Sequence, residues 1–422
     1  MLEKRAFLRY CRLMDNVEIP REVVNIITTL EAKGFRAYAV GGCVRDFLRG
    51  VEPEDWDITT NATPQEIQSI FPDSFYENKF GTVGVKTGSS KKNLEVIEVT
   101  TFRIEEKYTD RRHPEVVKFA KTLDEDLSRR DFTVNAIALK ITNPKLQAPN
   151  SLQVIDPFQG QEDIAKKIIR AVGDSEKRFS EDALRLLRAV RLASTLGYEI
   201  EPRTKKAIKE HAGLIDFIAK ERIKDELLKV ISFTPLKWRE AKEDDQRYSN
   251  ELKDKEIEQS PARAFWLMHE LGLLKHILPE LEEGIGVEQH LPHHYDVWTH
   301  IMRAFTYSVK ENFPVSVRLA TLFHDIAKPR TKEGKGEDST FYNHQVVGAK
   351  MTFQIMERLR FGRDLIEKVK GLVRWHMFSY EAEVTTDSSV RRLMRNVGLE
   401  NFDDLVKLRL ADRVATPVPK AE

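Results

Sequence analysis

The 422 residues contain two cysteines, Cys11 and Cys43. Two thiols cannot build a disulfide framework, which excludes a disulfide-stapled secreted domain and points to a reducing cytoplasm. No run of eighteen apolar residues occurs, and the first residues lack the apolar core of a secretory signal, so a membrane partner is not expected. An excess of one charge is also missing. Lys and Arg number 68 against 67 for Asp and Glu, a net charge of +1. Affinity for nucleic acid therefore cannot come from overall charge and would need a local basic face. Internal repeats and low-complexity tracts are absent.

What is present is a chain 41% apolar and 32% charged, the composition of a helix-rich globular protein. Its length fits roughly two to four domains. Residues 1–35 read as helices, with Val23, Ile26, Ile27 and Leu30 at helical spacing. Short strand signals follow: AYAV, DWDIT, TVGVKTG and LEVIEVTTF. Among them Thr63-Pro64 opens a helix over Gln65 to Phe71, with Thr63 as its N-cap. This mixture predicts a small α+β head. After Asp156-Pro157 the strand signals vanish, and helical patterns run over 161–171, 179–196, 203–212 and 220–232. Residues 236–260 are charge-rich and read as an exposed helical excursion or loop. Helical periodicity resumes at Pro261 and continues almost to the end.

The chemistry concentrates in residues 37–61, AYAVGGCVRDFLRGVEPEDWDITTN. Gly41 and Gly42 let the backbone approach phosphate oxygens and offer bare N–H groups to them. Arg45 adds a permanently charged planar fork. Asp55 and Asp57 alternate about Trp56, so on a strand both carboxylates point to one face. Two neighbouring carboxylates repel unless a cation lies between them, and Mg²⁺ with substrate phosphates is the usual occupant. The set points to metal-assisted phosphoryl or nucleotidyl transfer. Glu98 is a candidate third carboxylate, with Glu95 as its competitor. Cys43 reads as a small packing residue.

Two further segments carry nucleotide chemistry. In RRDFTVNAIAL (129–139), Arg130 can reach triphosphate or sugar oxygens, and Asp131 and Asn135 can hydrogen-bond a ribose hydroxyl. In SEDALRLLRAVR (180–191), Glu181, Asp182 and Arg185 fall near one face of a helix. Cytosine and adenine both present an amino donor beside a ring-nitrogen acceptor, whereas guanine and uracil present the reverse. A carboxylate and an arginine would therefore accept C and A and reject G and U.

GGCVRDFLRG…DWDITTNATP resembles the head motif of class II tRNA nucleotidyltransferases and their bacterial poly(A) polymerase relatives, in the DNA polymerase beta superfamily. RRDFTVNAIAL is similar to the family's ribose-recognition motif, and SEDALRLLRAVR to its nucleotide-selecting motif. The resemblance implies a mixed-sheet head over 1–158 and an all-α neck and body over 159–289. It implies catalytic Asp55 and Asp57 holding Mg²⁺, with Gly42, Arg45, Arg130, Asp131, Asn135, Asp182, Arg185, Arg188 and Arg191 binding nucleotide. It further implies CTP and ATP as substrates and the tRNA 3′ end as acceptor, with poly(A) synthesis as the alternative. YTDRRHPEVVKF (108–119) is similar to the loop that favours full CCA over CC-only addition, and NKFGTVGVK (78–86) to the tRNA-directed branch. Lys205, Lys206, Lys209, Lys220, Arg222, Lys224 and Lys229 offer an RNA-contacting face on the following helices. None of these motifs speaks to oligomeric state.

A second constellation lies further on: His300, His324-Asp325 in ATLFHDIAKPRTK, His344, His376 and Asp412. The order H…HD…D resembles the HD metal-dependent phosphohydrolases and implies an all-α HD domain over 290–422. Its metal ligands would be His300, His324, Asp325 and Asp412, suiting a divalent transition metal or Mg²⁺. HDIA stands where HDIG is more usual. His290, His293 and His294 read as surface residues or substrate contacts. The sequence stops soon after LRLADRVATPVPK, where family members continue with further helices, which implies an HD domain shortened at its C-terminal end. A third reading is an HD phosphohydrolase whose head serves only to bind RNA.

Overall fold

The computed structural model of the chain describes residues 18–76, 81–108, 114–142, 152–239, 252–289, 295–334, 338–378 and 386–416. Histidines 290, 293 and 294 lie outside the described residues, as do 1–17 and 240–251 and the middle of the 108–119 loop. So does the start of the 78–86 segment. The chain divides into two compact units, Met1–Arg185 with Tyr198–Ala207, and Leu186–Gly197 with Ile208–Glu422.

The first unit is built on a mixed seven-stranded sheet. Its strands are β1 (Ala37–Val40), β2 (Asp57–Thr60), β3 (Ser74–Tyr76), β4 (Thr82–Lys86), β5 (Val96–Thr101), β8 (Ala138–Ile141) and β9 (Leu152–Ile155), in spatial order β3-β4-β5-β2-β1-β8-β9. Between β5 and β8 in sequence, β6 (Arg103–Tyr108) and β7 (Pro114–Phe119) form a separate antiparallel pair. Within this sheet, among the described residues, only β2 and β5 run parallel, with Asp57 opposite Glu98. β1 is buried along its whole length, as a strand flanked on both edges should be. β5 alternates, with Ile97 and Val99 buried and Val96 and Glu98 exposed, so one face packs and the other is open. The helix after β2 runs Pro64–Ile70. Thr63 caps it, as the sequence predicts, and the structure adds a reciprocal box with Glu66.

Two expectations from periodicity are corrected. Strand pairing does not end at Pro157: Ile168–Ile169 pairs in parallel with Glu199–Ile200. Two-residue strands are too short to show a period, and their partners lie thirty residues apart. Nor is 179–196 one helix. A helix Ser175–Glu181 ends, Asp182 takes an extended backbone (φ −143°, ψ 104°), and a new helix spans Leu184–Leu196. Asp182 Oδ1 accepts the Leu184 N–H at 3.1 Å, a local turn that competes with the continuous helix.

Described strands are absent from the second unit, which is helical. Its centre is the helix Val297–Lys310, with every residue but Thr299 buried, beside Val315–Phe323. A helix buried nearly all round belongs in a core. Arg318, 2% exposed, ties the helix Val315–Phe323 to the chain around 231–234. Its guanidinium donates to the carbonyls of Ile231, Ser232 and Phe233 at the end of the helix Lys220–Ser232, and to Thr234 Oγ1 and Asn312 Oδ1, at 2.8–3.2 Å. Helix-terminal carbonyls lack partners within their helix, so one side chain satisfies several at once. Arg318→Ala would take a buried donor from these acceptors and is expected to lower unfolding stability by about 3 kcal/mol or more, read as a fall in the denaturant midpoint.

Candidate functional site

In the first unit the sequence motifs come together at the end of β1. Gly41 has φ +89°, a backbone that favours glycine. A Cβ there would stand 3.0 Å from Arg130 Nη1 and 3.8 Å from Asp57 Oδ2, so a guanidinium and a carboxylate converge on this one glycine. Arg45 lies along Gly42, its Nη2 3.7 Å from where a Cβ would be. It grips Asp46 with two hydrogen bonds, at 3.0 and 2.6 Å, and donates to Asn135 Oδ1 at 2.8 Å. Asp57 opens β2, while Asp55 sits in the bend before it rather than on the strand. Registered opposite one another on parallel strands, Asp57 and Glu98 project to the same face.

Asp55 keeps an exposed edge, yet desolvation raises its carboxyl above the ordinary value; Glu54 and Asp46 add to the rise and Arg45 opposes it. A carboxylate whose negative neighbours resist its ionisation is one that a cation would relieve. The hard oxygen donors of Asp55 and Asp57 therefore fit a divalent ion such as Mg²⁺. Cys43 is buried, and burial pushes its thiol up to about 12, so it is inert and serves as packing.

Arg130 is aimed by a residue that the motif reading missed. Asp126 is wholly buried and receives Arg129 through Nε and Nη2, at 3.0 and 2.7 Å, and Arg130 Nη2 at 3.4 Å. Thr59 Oγ1 of β2 lies 3.4 Å from its other side. Burial opposes the charge on Asp126, but Arg129 and Arg130 overcome it and hold the carboxyl below its ordinary value. The spacing of Asp126 to these arginines, three and four residues on a helix, was the available signal.

Asp131 turns its Oδ1 to the Phe132 N–H at 2.9 Å and its carbonyl to the Val172 N–H at 3.1 Å. Asn135 closes the 3-10 turn Thr133–Asn135, which packs on Gly160 of the helix Gly160–Lys166. A Cβ on Gly160 would stand 2.2 Å from the Thr133 carbonyl oxygen and 2.8 Å from Ile137. Gly160→Ala is expected to push the turn aside, at a cost of about 1–3 kcal/mol. A lower melting temperature would report the displacement.

Arg185, 7% exposed, is fixed by Glu181 Oε2 at 2.7 Å, the Arg178 carbonyl at 3.1 Å and the Arg129 carbonyl at 3.1 Å. The last bond ties the segment 180–191 to the segment 129–139. Asp182 lies beside it at the break between the helices. Arg188 and Arg191 face a different partner: Arg191 Nε is 2.6 Å and Arg188 Nη1 3.8 Å from the buried carboxylate of Glu226.

The second unit holds the histidines. His300 lies on Val297–Lys310, His324 and Asp325 at the end of Val315–Phe323, His344 at the start of His344–Arg358, His376 at the end of Arg363–Trp375, and Asp412 on Phe402–Ala415. Two groups form, His300–His324–Asp325–Asp412 and Asp325–His344–His376, each with its ligand atoms within 4.8 Å of one another. Asp325 belongs to both. The Nδ1 atoms of His324, His344 and His376 donate to the carbonyls of Thr321, Phe341 and Val373 at 2.7–2.8 Å. That fixes the tautomer and turns each Nε2 lone pair inward. The Nε2 atoms of His300 and His324 stand 3.1 Å apart, and those of His344 and His376 3.4 Å. Inward lone pairs this close, with two carboxylates, call for positive charge. Burial works against a charged His324, but Asp325 and Asp412 overcome it and push the ring up to about 10. Burial, opposed by Asp325, takes His344 down to about 4. Burial also opposes both carboxylates; His324 and Lys328 hold Asp325, and His300 and His324 hold Asp412, well below the usual range. The donors fit divalent metal.

Family models match three separate stretches of the chain. Residues 37–170 match the poly A polymerase head domain, 197–234 a probable RNA and SrmB-binding site of polymerase A, and 292–416 the HD domain. A CCA-adding enzyme of Lactobacillus helveticus is 46% identical over 206 residues, covering 49% of this chain and 48% of that one. A CCA-adding enzyme of Geobacillus stearothermophilus is 44% identical over 212 residues, covering 50% and 49%. The chain spans about half the length of the curated relatives it matches. Among solved structures, the Bacillus stearothermophilus CCA-adding enzyme in complex with CTP superposes with a TM-score of 0.65 at 28% identity, over 93% of this chain and 77% of that one. The Thermotoga maritima CCA-adding enzyme complexed with tRNA shares the fold, with a TM-score of 0.56 at 19% identity over 97% and 82%. Among the described residues no helix is long and apolar enough to cross a membrane.

Proposed function

We propose that this chain adds C and A to the 3′ end of cytoplasmic tRNA, from CTP and ATP, because residues 37–170 match the poly A polymerase head domain and residues 292–416 the HD domain. The observation that carries this reading is the meeting of Asp57, Gly41, Arg130 and, through Asn135, Arg45 around one cradle. Arg185 joins that cradle through the Arg129 carbonyl. The names of the relatives and the CTP complex support the substrate class. The family description of residues 197–234 supports the lysine-bearing helices as the RNA face.

Arg45 and Arg130 neutralise the triphosphate, and the bare Gly41-Gly42 backbone lets it approach. Asp131 and Asn135 address the ribose. Asp55 and Asp57, with Glu98 on the same face, would hold Mg²⁺, which when bound activates the RNA 3′-hydroxyl and stabilises the departing pyrophosphate. Arg185, clamped by Glu181, presents a fixed guanidinium to a ring nitrogen, and Asp182 a carboxylate to the amino group of C or A. Pre-positioning matters because base choice then needs no nucleic-acid template. Asp182→Ala is expected to relax base choice by about ten- to a hundredfold toward UTP, with triphosphate binding little changed. UTP excluded as strictly as before would remove Asp182 from base selection.

The HD unit supports a second activity. The paired ligand groups sharing Asp325 would hold a divalent metal, which would supply the activation of water needed to hydrolyse phosphate esters, and this favours phosphatase or 2′,3′-cyclic phosphodiesterase action on RNA ends. One assay tests the whole scheme: the full chain, Mg²⁺, each labelled nucleotide in turn, and a tRNA lacking its 3′ end. Two C residues and one A, then a stop, is the expected product. Long A tails would favour poly(A) synthesis. No incorporation, with phosphate released from cyclic ends, would favour a hydrolase with an RNA-binding head.

A further inference from the structure

Two cavities of the HD unit adjoin. The first, of about 540 Å³, is the mouth of the metal centre and is lined by Asp325, His344 and Asp412. The second is an apolar groove of about 640 Å³ between the helices Asp387–Val397 and Phe402–Ala415, faced by Trp375, Leu393, Phe402, Val406 and Leu410. Met377, Arg409 and Arg413 line both, so the groove opens onto the cleft. The apolar residues are open to solvent in the described chain, with Met377 53% and Val406 and Leu410 each 43% exposed. The cations are placed unevenly. Arg409 is held by Asp412 Oδ2 at 2.6 Å, whereas the side chains of Arg413 and Arg392 make no ion pair among the described residues.

We propose that the groove is the nucleoside subsite of the HD centre, taking the base of a nucleoside phosphate ester whose phosphate lies over Asp325, His344 and Asp412. The proposal deepens the phosphohydrolase reading and rests on it. A nucleotide is an aromatic plate joined to an anion, and the two adjoining cavities offer an apolar slot joined to a cationic, metal-binding mouth. Trp375 gives a base a flat face within the groove, Met377 gives it a polarisable contact at the junction, and Arg413 meets the phosphate there. Apolar contact discriminates weakly among bases, so the subsite accepts any of them, unlike the head.

That difference provides the test, because a guanosine ligand is one the proposed head template rejects. Guanosine 2′-monophosphate and inorganic phosphate are titrated calorimetrically into the full chain and into Val406→Glu and Leu410→Glu. Both positions are partly exposed, so the fold should tolerate the change, and melting curves check it. Guanosine monophosphate affinity is expected to fall roughly tenfold or more, with inorganic phosphate affinity unchanged. Unchanged binding of both ligands overturns the proposal and leaves the groove to some other occupant, such as further polypeptide. A parallel loss of both in a normally folded variant also overturns it. Hydrolysis of guanosine 2′,3′-cyclic phosphate by the unmodified chain with Mn²⁺, Ni²⁺ or Mg²⁺ reads the phosphohydrolase activity separately. Its absence removes that activity while the titrations still decide the subsite.

Discussion

Asp57→Ala is expected to abolish incorporation of both CTP and ATP, by about 10³-fold or more, roughly 4 kcal/mol of transition-state stabilisation. The size follows from what stands around the side chain. Asp57 Oδ2 is near Gly41, where Arg130 Nη1 also arrives, and Asp57 shares its face with Glu98. Removing its carboxylate takes a donor from the cation position while Asp55, already raised by desolvation and by Glu54 and Asp46, is a poor substitute. Arg45 and Arg130 stay, so CTP should still bind. The result sought is therefore a collapse in kcat with CTP affinity changed by only about threefold, the signature of an interaction made in the transition state. Asp57→Asn, which keeps the shape, separates charge from fold. Turnover within tenfold of the unaltered protein in either variant would remove Asp57 from the metal assignment.

The head was legible because its chemistry lies in contiguous runs. Gly41-Gly42, Arg45 and the Asp55/Asp57 pair occupy one strand–turn–helix–strand length, and the ladder sets them at one end of β1. The capping box at Thr63 was equally local. Relationships set by tertiary packing were hidden. Periodicity carried a helix through Asp182, because the pattern of apolar residues does not register a single residue leaving helical geometry. Glu181 thereby became the partner that holds Arg185, with Asp182 turned to the Leu184 N–H. Arg188 and Arg191 continued the arginine row in sequence, but the buried Glu226, thirty-five residues after Arg191, engages them. Asp126 carried a readable spacing but no motif, and its importance comes from Thr59 and Arg130 meeting there. In the HD unit each ligand type was visible, but the sharing of Asp325 between two groups depends on where separate helices end.

That sharing makes Asp325 the most sensitive position of the second unit. Asp325 Oδ2 lies 3.3 Å from His300 Nε2 and 3.2 Å from His324 Nε2, and Oδ1 lies 3.4 Å from His344 Nε2 and 3.7 Å from His376 Nε2. Asp325→Ala removes a ligand from both groups at once. It also strips Lys328, whose Nζ is 2.7 Å from Oδ2, of its carboxylate partner, leaving a buried ammonium on the neutral Gln289 Oε1 beside the place a metal would occupy. A lone buried cation repels another, so the loss should exceed that of one ligand and reach about a hundredfold or more in metal affinity. His376→Ala touches only the group with His344 and should leave the four-residue group able to bind. Metal analysis after dialysis is expected to find none on Asp325→Ala and a reduced amount on His376→Ala, with phosphohydrolysis lost in the first. CCA addition should persist in both, since its carboxylates belong to the other unit. Full metal content in Asp325→Ala would mean that the histidines and Asp412 suffice, and that the shared carboxylate serves to hold Lys328 rather than an ion.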